Sequence, residues 1–205
     1  MSIINRLENE IHNQGYKYIA CIDEVGRGCL LGDVLAAAVI LPKGLIIHGV
    51  KDSKKLSQKK REYLYDIILD NAIGIGIGRI GPSTIDRINI KESTKLAMKM
   101  SIENIRDKTG EKLSPDYVLV DAEQLDINLP NKSIIKGDSV SHGISCASII
   151  AKVYRDRLCL EWDKELPIYN IKQHKGYGTK EHRNNIKKFG ASSMHRKTFL
   201  KNILK

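Results

Sequence analysis

No apolar stretch in the 205-residue chain approaches the roughly 20 residues that a membrane-spanning helix requires. The opening segment, Met1 to His12, also lacks the cationic-then-apolar order of a secretory signal. The expectation is a cytoplasmic protein. Cysteine is scarce: of Cys21, Cys29, Cys146 and Cys159, no two form a C-x-x-C pair or a zinc-ribbon spacing. Three of them lie within apolar segments, so the expected state is buried and reduced, neither disulfide nor ligand. Internal repeats, low-complexity tracts and long Pro/Gly/Ser linkers are missing too. No serine or cysteine stands beside a histidine and an acid in a recognisable nucleophile setting. The glycines of Ile73-Gly74-Ile75-Gly76-Ile77-Gly78 do not form a G-x-G-x-x-G turn leading into a helix, so a dinucleotide cradle is disfavoured.

What remains is an ordinary globular composition, 41% hydrophobic and 28% charged, with an uneven positive excess. The net charge is +10, and the segment from Lys172 onward carries ten Lys or Arg against one acid, Glu181. A second basic cluster comprises Lys51, Lys54, Lys55, Lys59, Lys60 and Arg61. Two basic patches around an acidic centre suit a polyanion held by its flanks. Charge alone does not choose between that and a merely solvated basic face.

Segments 17–23 and 33–41 read as strands joined by a short connection, an antiparallel hairpin with Gly26, Gly28 and Gly32 in the turn. Ser57 caps a helix reaching about Asp70, with Leu64, Ile67 and Ile68 on one face. Segment 72–80 is a strand with one apolar and one bare glycine face, which invites close approach of another backbone. Gly81-Pro82 reads as a break. Ser93 then opens a helix to about Asp107 with Leu96, Met100, Ile102 and Ile105 as its buried stripe. Strands at 116–121 and 133–136 follow, then a long helix from Ser139 to Trp162, then two short basic helices. The order fits an α/β fold, a mixed sheet flanked by helices with a small C-terminal helical extension. One domain is expected, with a core at 17–165 and a basic helical segment at 166–205.

The chemistry lies in acids at strand ends. Tyr18-Ile19-Ala20-Cys21-Ile22 stops on Asp23 and Glu24, Tyr117-Val118-Leu119-Val120 on Asp121, and Ile134-Ile135-Lys136-Gly137 on Asp138. If those ends lie side by side, four carboxylates converge, and like charges held close need a neutraliser. Hard oxygen donors suit Mg²⁺ or Mn²⁺ rather than zinc. Two such ions would serve phosphodiester displacement by activated water. Each acid also has a structural reading: Asp138 as a helix N-cap, Asp121 as a turn residue, Glu24 as a surface charge. Of the histidines, His174, His182 and His195 fall in the basic tail, where phosphate contact and catalysis are equally open readings.

Asp23-Glu24-Val25-Gly26-Arg27-Gly28 resembles the signature of the type 2 ribonucleases H, the ribonuclease HII family. Four further blocks resemble it in order: Asp52 to Ser57, Ile135 to Ser139, Ala147 to Arg157, and His174 to Thr179. The resemblance implies a ribonuclease H-like fold and metal-dependent endonucleolytic hydrolysis of RNA in RNA–DNA hybrids. It also implies incision at single ribonucleotides in duplex DNA. Asp23, Glu24, Asp121 and Asp138 would be the catalytic metal carboxylates, holding two Mn²⁺ or Mg²⁺ ions. Gly26, Arg27 and Gly28 would read the 2′-hydroxyl, the group that separates RNA from DNA. Tyr177 would pack on the following deoxyribose, where the bland reading is an anchor for the tail. Lys54, Lys55 and Lys175 would complete the substrate contacts. The expected partner is nucleic acid, with no membrane, and the expected state is monomer. Three positions depart from the family pattern: Cys29 and Asp33 replace frequent prolines, and Ala122 replaces glycine. The absence of a long N-terminal extension disfavours the type 3 enzymes, and the adjacent Asp-Glu pair disfavours type 1. Two rivals stand beside this expectation, a non-catalytic nucleic-acid binder and a structure-specific DNA nuclease on the same fold.

Overall fold

The computed structural model describes residues 6–50 and 53–204, so Lys51 and Asp52 of the sequence motifs lie outside the described residues, as does the side chain of Lys54. Helix α1 (Arg6–Asn13) leads into β1 (Ile19–Val25) and β2 (Val34–Ile40), followed by α2 (Gln58–Asn71) and β3 (Gly74–Ile80). Then come α3 (Pro82–Glu103), β4 (Tyr117–Asp121), β5 (Asn131–Ile134), α4 (Gly137–Val140) and α5 (His142–Glu165). Helices α6 (Ile171–His174) and α7 (Lys180–Phe189) follow, and a short 3-10 turn at Lys197–Phe199 lies in the C-terminal segment beyond them. The five strands form one sheet in the order β3-β2-β1-β4-β5. The first three strands pair antiparallel, and β4 and β5 run parallel to β1. Among the described residues no helix is long and apolar enough to cross a membrane.

Each face of the sheet is covered. Leu35, Ala37 and Val39 pack against α2 and α5, while Ala36, Ala38 and Ile40 pack against α3. Every residue of β2 is buried, as a central strand sandwiched between helices requires. The bare glycine face of β3 does admit another backbone, that of α3. A Cβ at Gly76 would fall 2.0 Å from the Ser101 carbonyl oxygen, and one at Gly78 would fall 1.9 Å from that of Ala97. The buried face of α3 is accordingly made of small residues, Ala97 and Ser101 beside Met98 and Ile102. The expected stripe is corrected in part: Ile102 and Ile105 are buried, but Leu96 is exposed.

Other expectations shift. Gly81-Pro82 does not break the chain; Gly81 is the N-cap and Pro82 the first residue of α3, because a proline at that position loses no helical hydrogen bond. The helix kinks at Asn89, φ 67°, whose side chain accepts from the Lys91 and Glu92 amides and so caps the second half. The last strand ends at Ile134, and the expected long helix is two pieces. Ser141 is the cap of α5, accepting from the Ile144 amide at 3.1 Å. A further apolar cluster beneath the C-terminal segment joins Leu30, Leu31 and Trp162 to Tyr169, Ile186 and Leu200. All four cysteines are free and buried.

Candidate active site

In the antiparallel register Asp23 stands opposite Ala37 and Glu24 opposite Ala36. Asp23 therefore looks to the α5 face and Glu24 to the α3 face. Asp23 is 5% exposed, its Oδ1 accepts from the Glu24 amide at 2.8 Å, and its carboxylate hydrogen-bonds Ser148 of α5. Ser148 in turn bonds the hydroxyl of Ser53 at 2.8 Å. Asp121 closes β4, one residue beyond the last registered pair with β1, Ile22 with Val120. Its Oδ1 accepts from the Gly137 amide at 2.6 Å. A Cβ at Gly137 would lie 2.6 Å from Ile144 and 3.2 Å from that oxygen, so the loop reaches Asp121 because it carries none.

The electrostatics bind three of the four acids together. Burial pushes the Asp23 carboxyl well above the ordinary carboxylate range, and the neighbouring Glu24 and Asp121 charges raise it further. Burial also raises Glu24, with Asp121 adding to it and Arg27 opposing. Asp138 is placed differently from expectation. It does not end a strand, since Ile135 is 82% exposed and Lys136 turns the chain at φ 57°. Asp138 sits in the first turn of α4, not at its N-cap, and its carbonyl accepts from the Ser145 hydroxyl at 2.5 Å. It adjoins Asp121 through Gly137. Among the described residues no three His, Cys, Asp or Glu side chains stand in ligating geometry. The donor set is nevertheless all hard oxygen, and a nearly buried aspartate raised by two like charges fits the neighbourhood of a divalent cation.

Arg27 supplies some of the neutralisation. Its Nη1 lies 2.8 Å from Glu123 and 3.5 Å from Glu24. Glu123, buried beside the site, is a residue that sequence reasoning missed; its position two residues past Asp121 was the available signal. Ala122 between them adopts φ 54°. Gly26 adopts φ 91°, and a Cβ there would strike Arg155 Nε at 2.4 Å. Gly28 has nothing within 4 Å of a built Cβ and faces open space. Asp33, which could have passed for a ligand, is committed to Arg79 at 2.8 Å.

The segment holding Tyr177 lies against this loop. Cys29 pairs with Tyr177 in an isolated bridge, and the Leu30 amide donates to the Gly176 carbonyl at 2.8 Å. Tyr177 is 41% exposed. Lys175 folds its ammonium back onto the Lys172 carbonyl at 2.6 Å, and Lys55 is exposed. The tail histidines meet neither open reading: His174, His182 and His195 are buried together, with His174 and His182 stacked at 4.1 Å. They pack the C-terminal segment instead of facing solvent.

A family model described as Ribonuclease HII matches residues 20–202. The chain is 59% identical over 204 residues to a ribonuclease HII of Alkaliphilus metalliredigens, covering 98% of this chain and 100% of that one. It is 58% identical over 198 residues to one of Alkaliphilus oremlandii, covering 97% and 98%. The crystal structure of ribonuclease H2 from Pyrococcus horikoshii superposes with a TM-score of 0.74 at 23% identity, over 91% of this chain and 97% of that one.

Proposed function

The chain belongs to the ribonuclease HII family and is a ribonuclease H endonuclease, and from that premise we propose its finer activity. It hydrolyses the RNA strand of RNA–DNA hybrids and incises duplex DNA 5′ to a single embedded ribonucleotide, leaving 3′-hydroxyl and 5′-phosphate ends. The observation that carries this reading is the juxtaposition of acids and reading loop. Asp23, Glu24 and Asp121 interact at one sheet edge, and the Gly26–Gly28 turn departs from the same strand.

Asp23, Glu24, Asp121 and Asp138 would hold two Mn²⁺ or Mg²⁺ ions, which when bound supply a nucleophile at neutral pH and stabilise the leaving oxygen. The chain's own residues do the rest. Ser148 and the Glu24 amide hold Asp23 in one orientation, and the Gly137 amide holds Asp121. Gly28, open on its outer side, lets main-chain groups approach a ribose closely enough to test for the 2′-hydroxyl. Arg27, 37% exposed along its side chain, is placed to exchange Glu123 and Glu24 for a phosphate oxygen. Tyr177 offers an exposed ring for the adjoining deoxyribose. The Lys54 and Lys55 segment and the basic tail grip flanking phosphates, making binding salt-sensitive. The whole chain acts as one unit, the 166–205 segment carrying Tyr177 to the 17–165 core, and it acts as a monomer.

The deciding assay incubates the protein with Mg²⁺ or Mn²⁺ and a duplex DNA bearing one ribonucleotide, a continuous RNA–DNA hybrid, and an all-DNA duplex. Cutting of the first two and sparing of the third is expected. Cutting of all three would sink the ribonucleotide reading; cutting of none, with retained binding, would favour a non-catalytic binder.

A further inference from the structure

Arg155 on α5 and Arg196 in the C-terminal segment are both 0% exposed. Charged side chains are rarely buried to this degree unless paired, and burying a cation costs stability that an apolar side chain of similar size would not. Apart from the Cys159 sulfur, 3.8 Å from Arg155 Nη1, their hydrogen-bond partners are main-chain carbonyls rather than carboxylates. Arg155 donates from Nε to Asp33 at 3.1 Å, from Nη2 to Leu31 at 3.2 Å and from Nη1 to Lys175 at 2.9 Å. Arg196 donates from Nε to Gly32 at 2.9 Å and from Nη1 to Arg27 at 2.8 Å. Every one of these carbonyls belongs to the turn that carries Gly26 to Gly28 or to the residues just before Tyr177. Gly26 packs directly on the Arg155 guanidinium, which leaves no room for a Cβ.

We propose that Arg155 and Arg196 are positioning residues, Arg155 fixing the spacing between the 2′-hydroxyl-reading turn and Tyr177 and Arg196 holding the turn itself in shape, so that turn and tyrosine act as a single reader of the ribose-to-deoxyribose junction. The inference rests on the functional reading above and assigns it a specificity determinant. A guanidinium is suited to this task because its donors are held in one plane at fixed angles. One fork spans two segments far apart in sequence, Leu31 to Asp33 and Lys175, and sets their distance. The second fork grips Arg27 by its own carbonyl, beneath the side chain that faces the acids. Neither arginine reaches the substrate. Their effect passes through the carbonyls they hold. A duplex with one ribonucleotide presents a single junction and needs both contacts in register. A continuous hybrid presents a 2′-hydroxyl at every step and tolerates slack.

The test uses Arg155→Lys and Arg196→Lys, which keep the charge and lose the fork. For each, kcat and KM are measured on the single-ribonucleotide duplex and on the continuous hybrid, beside the thermal midpoint. The expected result is a folded protein whose kcat/KM at the single ribonucleotide falls about tenfold or more, the loss expected for displaced hydrogen bonds to a charged group. The fall on the hybrid should be several-fold smaller. Tyr177→Ala added to Arg155→Lys should then cost little more on the single-ribonucleotide duplex, because the contact it removes is already out of place. Equal losses on both substrates, scaling with the thermal midpoint, would reduce the arginines to structural roles and overturn the proposal. Loss of the fold in both variants overturns it as well, since positioning alone leaves a folded protein. Failure of the wild-type chain to spare all-DNA duplex would instead overturn the functional reading, whatever the variants do.

Discussion

His182 donates from Nδ1 to the Tyr177 carbonyl at 2.9 Å, which leaves its Nε2 as an acceptor, and His195 Nε2 lies 3.2 Å away as the donor. His195 Nδ1 is then the acceptor for the amide and hydroxyl of Ser192. His174 completes the stack, giving Nε2–H to the Tyr169 carbonyl and accepting from the Gly176 amide. His182 and His195 are thereby each held in one neutral tautomer, and a second proton on His182 Nε2 would face the Nε2–H of His195. Burial lowers His182 and His195 from 6.5 to about 4, each ring's neighbouring histidines adding to it. His142, which accepts from the Ile47 amide at 2.9 Å, is lowered to about 4 as well, by burial first and His48 second. The native values lie below the unfolded one, so as pH falls through 6.5 the unfolded chain binds protons that the native chain refuses. Stability conferred by the neutral rings is thus complete above that value, declines below it, and levels off below about 4.

At about pH 5 this linkage amounts to about 2 kcal/mol per histidine, and halving it for residual solvent screening leaves about 1 kcal/mol. The three together reach about 3 kcal/mol, a large share of a typical domain's stability. Asp23 and Glu24 work the other way, since their raised native values let the folded state take up protons more readily than the unfolded chain. His195→Gln isolates the stack from that background. Gln retains a donor toward His182 and cannot titrate. Urea midpoints of both proteins, measured from about pH 7.5 to about pH 5, should show the variant losing about 1 kcal/mol less than wild type across that range. Superimposable pH profiles would refute the buried-neutral assignment of His195.

Four further outcomes are expected. Gly28→Ala should leave the thermal midpoint nearly unchanged, because its Cβ meets nothing within 4 Å, yet lower kcat/KM on ribonucleotide-bearing duplex severalfold; wild-type kinetics would show that no ribose approaches there. Gly78→Ala should destabilise by about 3 kcal/mol in denaturant titration, at the upper end of overpacking costs, since its Cβ lands 1.9 Å from a carbonyl oxygen of α3. Asp138→Asn should bind hybrid in a gel-shift assay but cleave it about a hundredfold more slowly, several kcal/mol of lost transition-state stabilisation; near-native turnover would remove Asp138 from the site. Ala122→Gly should raise stability by about 0.5 kcal/mol, since the left-handed backbone at φ 54° costs an L-residue more than the extra chain entropy costs glycine.

Patterns with a period of two or a fixed local chemistry were legible in the chain. The alternating glycines of 74–78 announced a backbone contact, and Ser57 announced a helix start that the structure realises with a bond to the Lys60 amide. Asp138 misled because Ile134-Ile135 reads as apolar strand, whereas Ile135 points to solvent and the chain turns at Lys136. Gly81-Pro82 misled because the same pair that ends a strand also begins a helix. The start at Ser93 was displaced from a real boundary, the kink capped by Asn89. Arg155 stood in a family-like block and Arg196 carried no signal, and nothing in the sequence announced either as buried. Their partners are carbonyls, which every residue has, so no residue type elsewhere in the chain marks where a buried arginine will be satisfied.

The adjacency of Asp23 and Glu24 poses a geometric problem, because neighbours on a strand point to opposite faces, and β1 continues through Val25. The solution lies in the neighbouring strand. Asp121 is the last residue of β4, level with the acids of β1, and its charge acts on both of them although they face opposite sides of the sheet. Helix α5 supplies Ser148 on one side, and the turn at Ala122 brings Glu123 and Arg27 together on the other. An acid pair in the middle of a longer strand would have its faces separated by the sheet itself. At the end of a central strand, beside a parallel neighbour that stops at the same level, both carboxylates reach one edge. On the proposed function, the reading turn starts within two residues of the second acid, so a movement of Gly26 that mispositioned a ribose would also disturb Glu24. Under that reading, recognition and hydrolysis would be coupled there by the shortness of the chain between them.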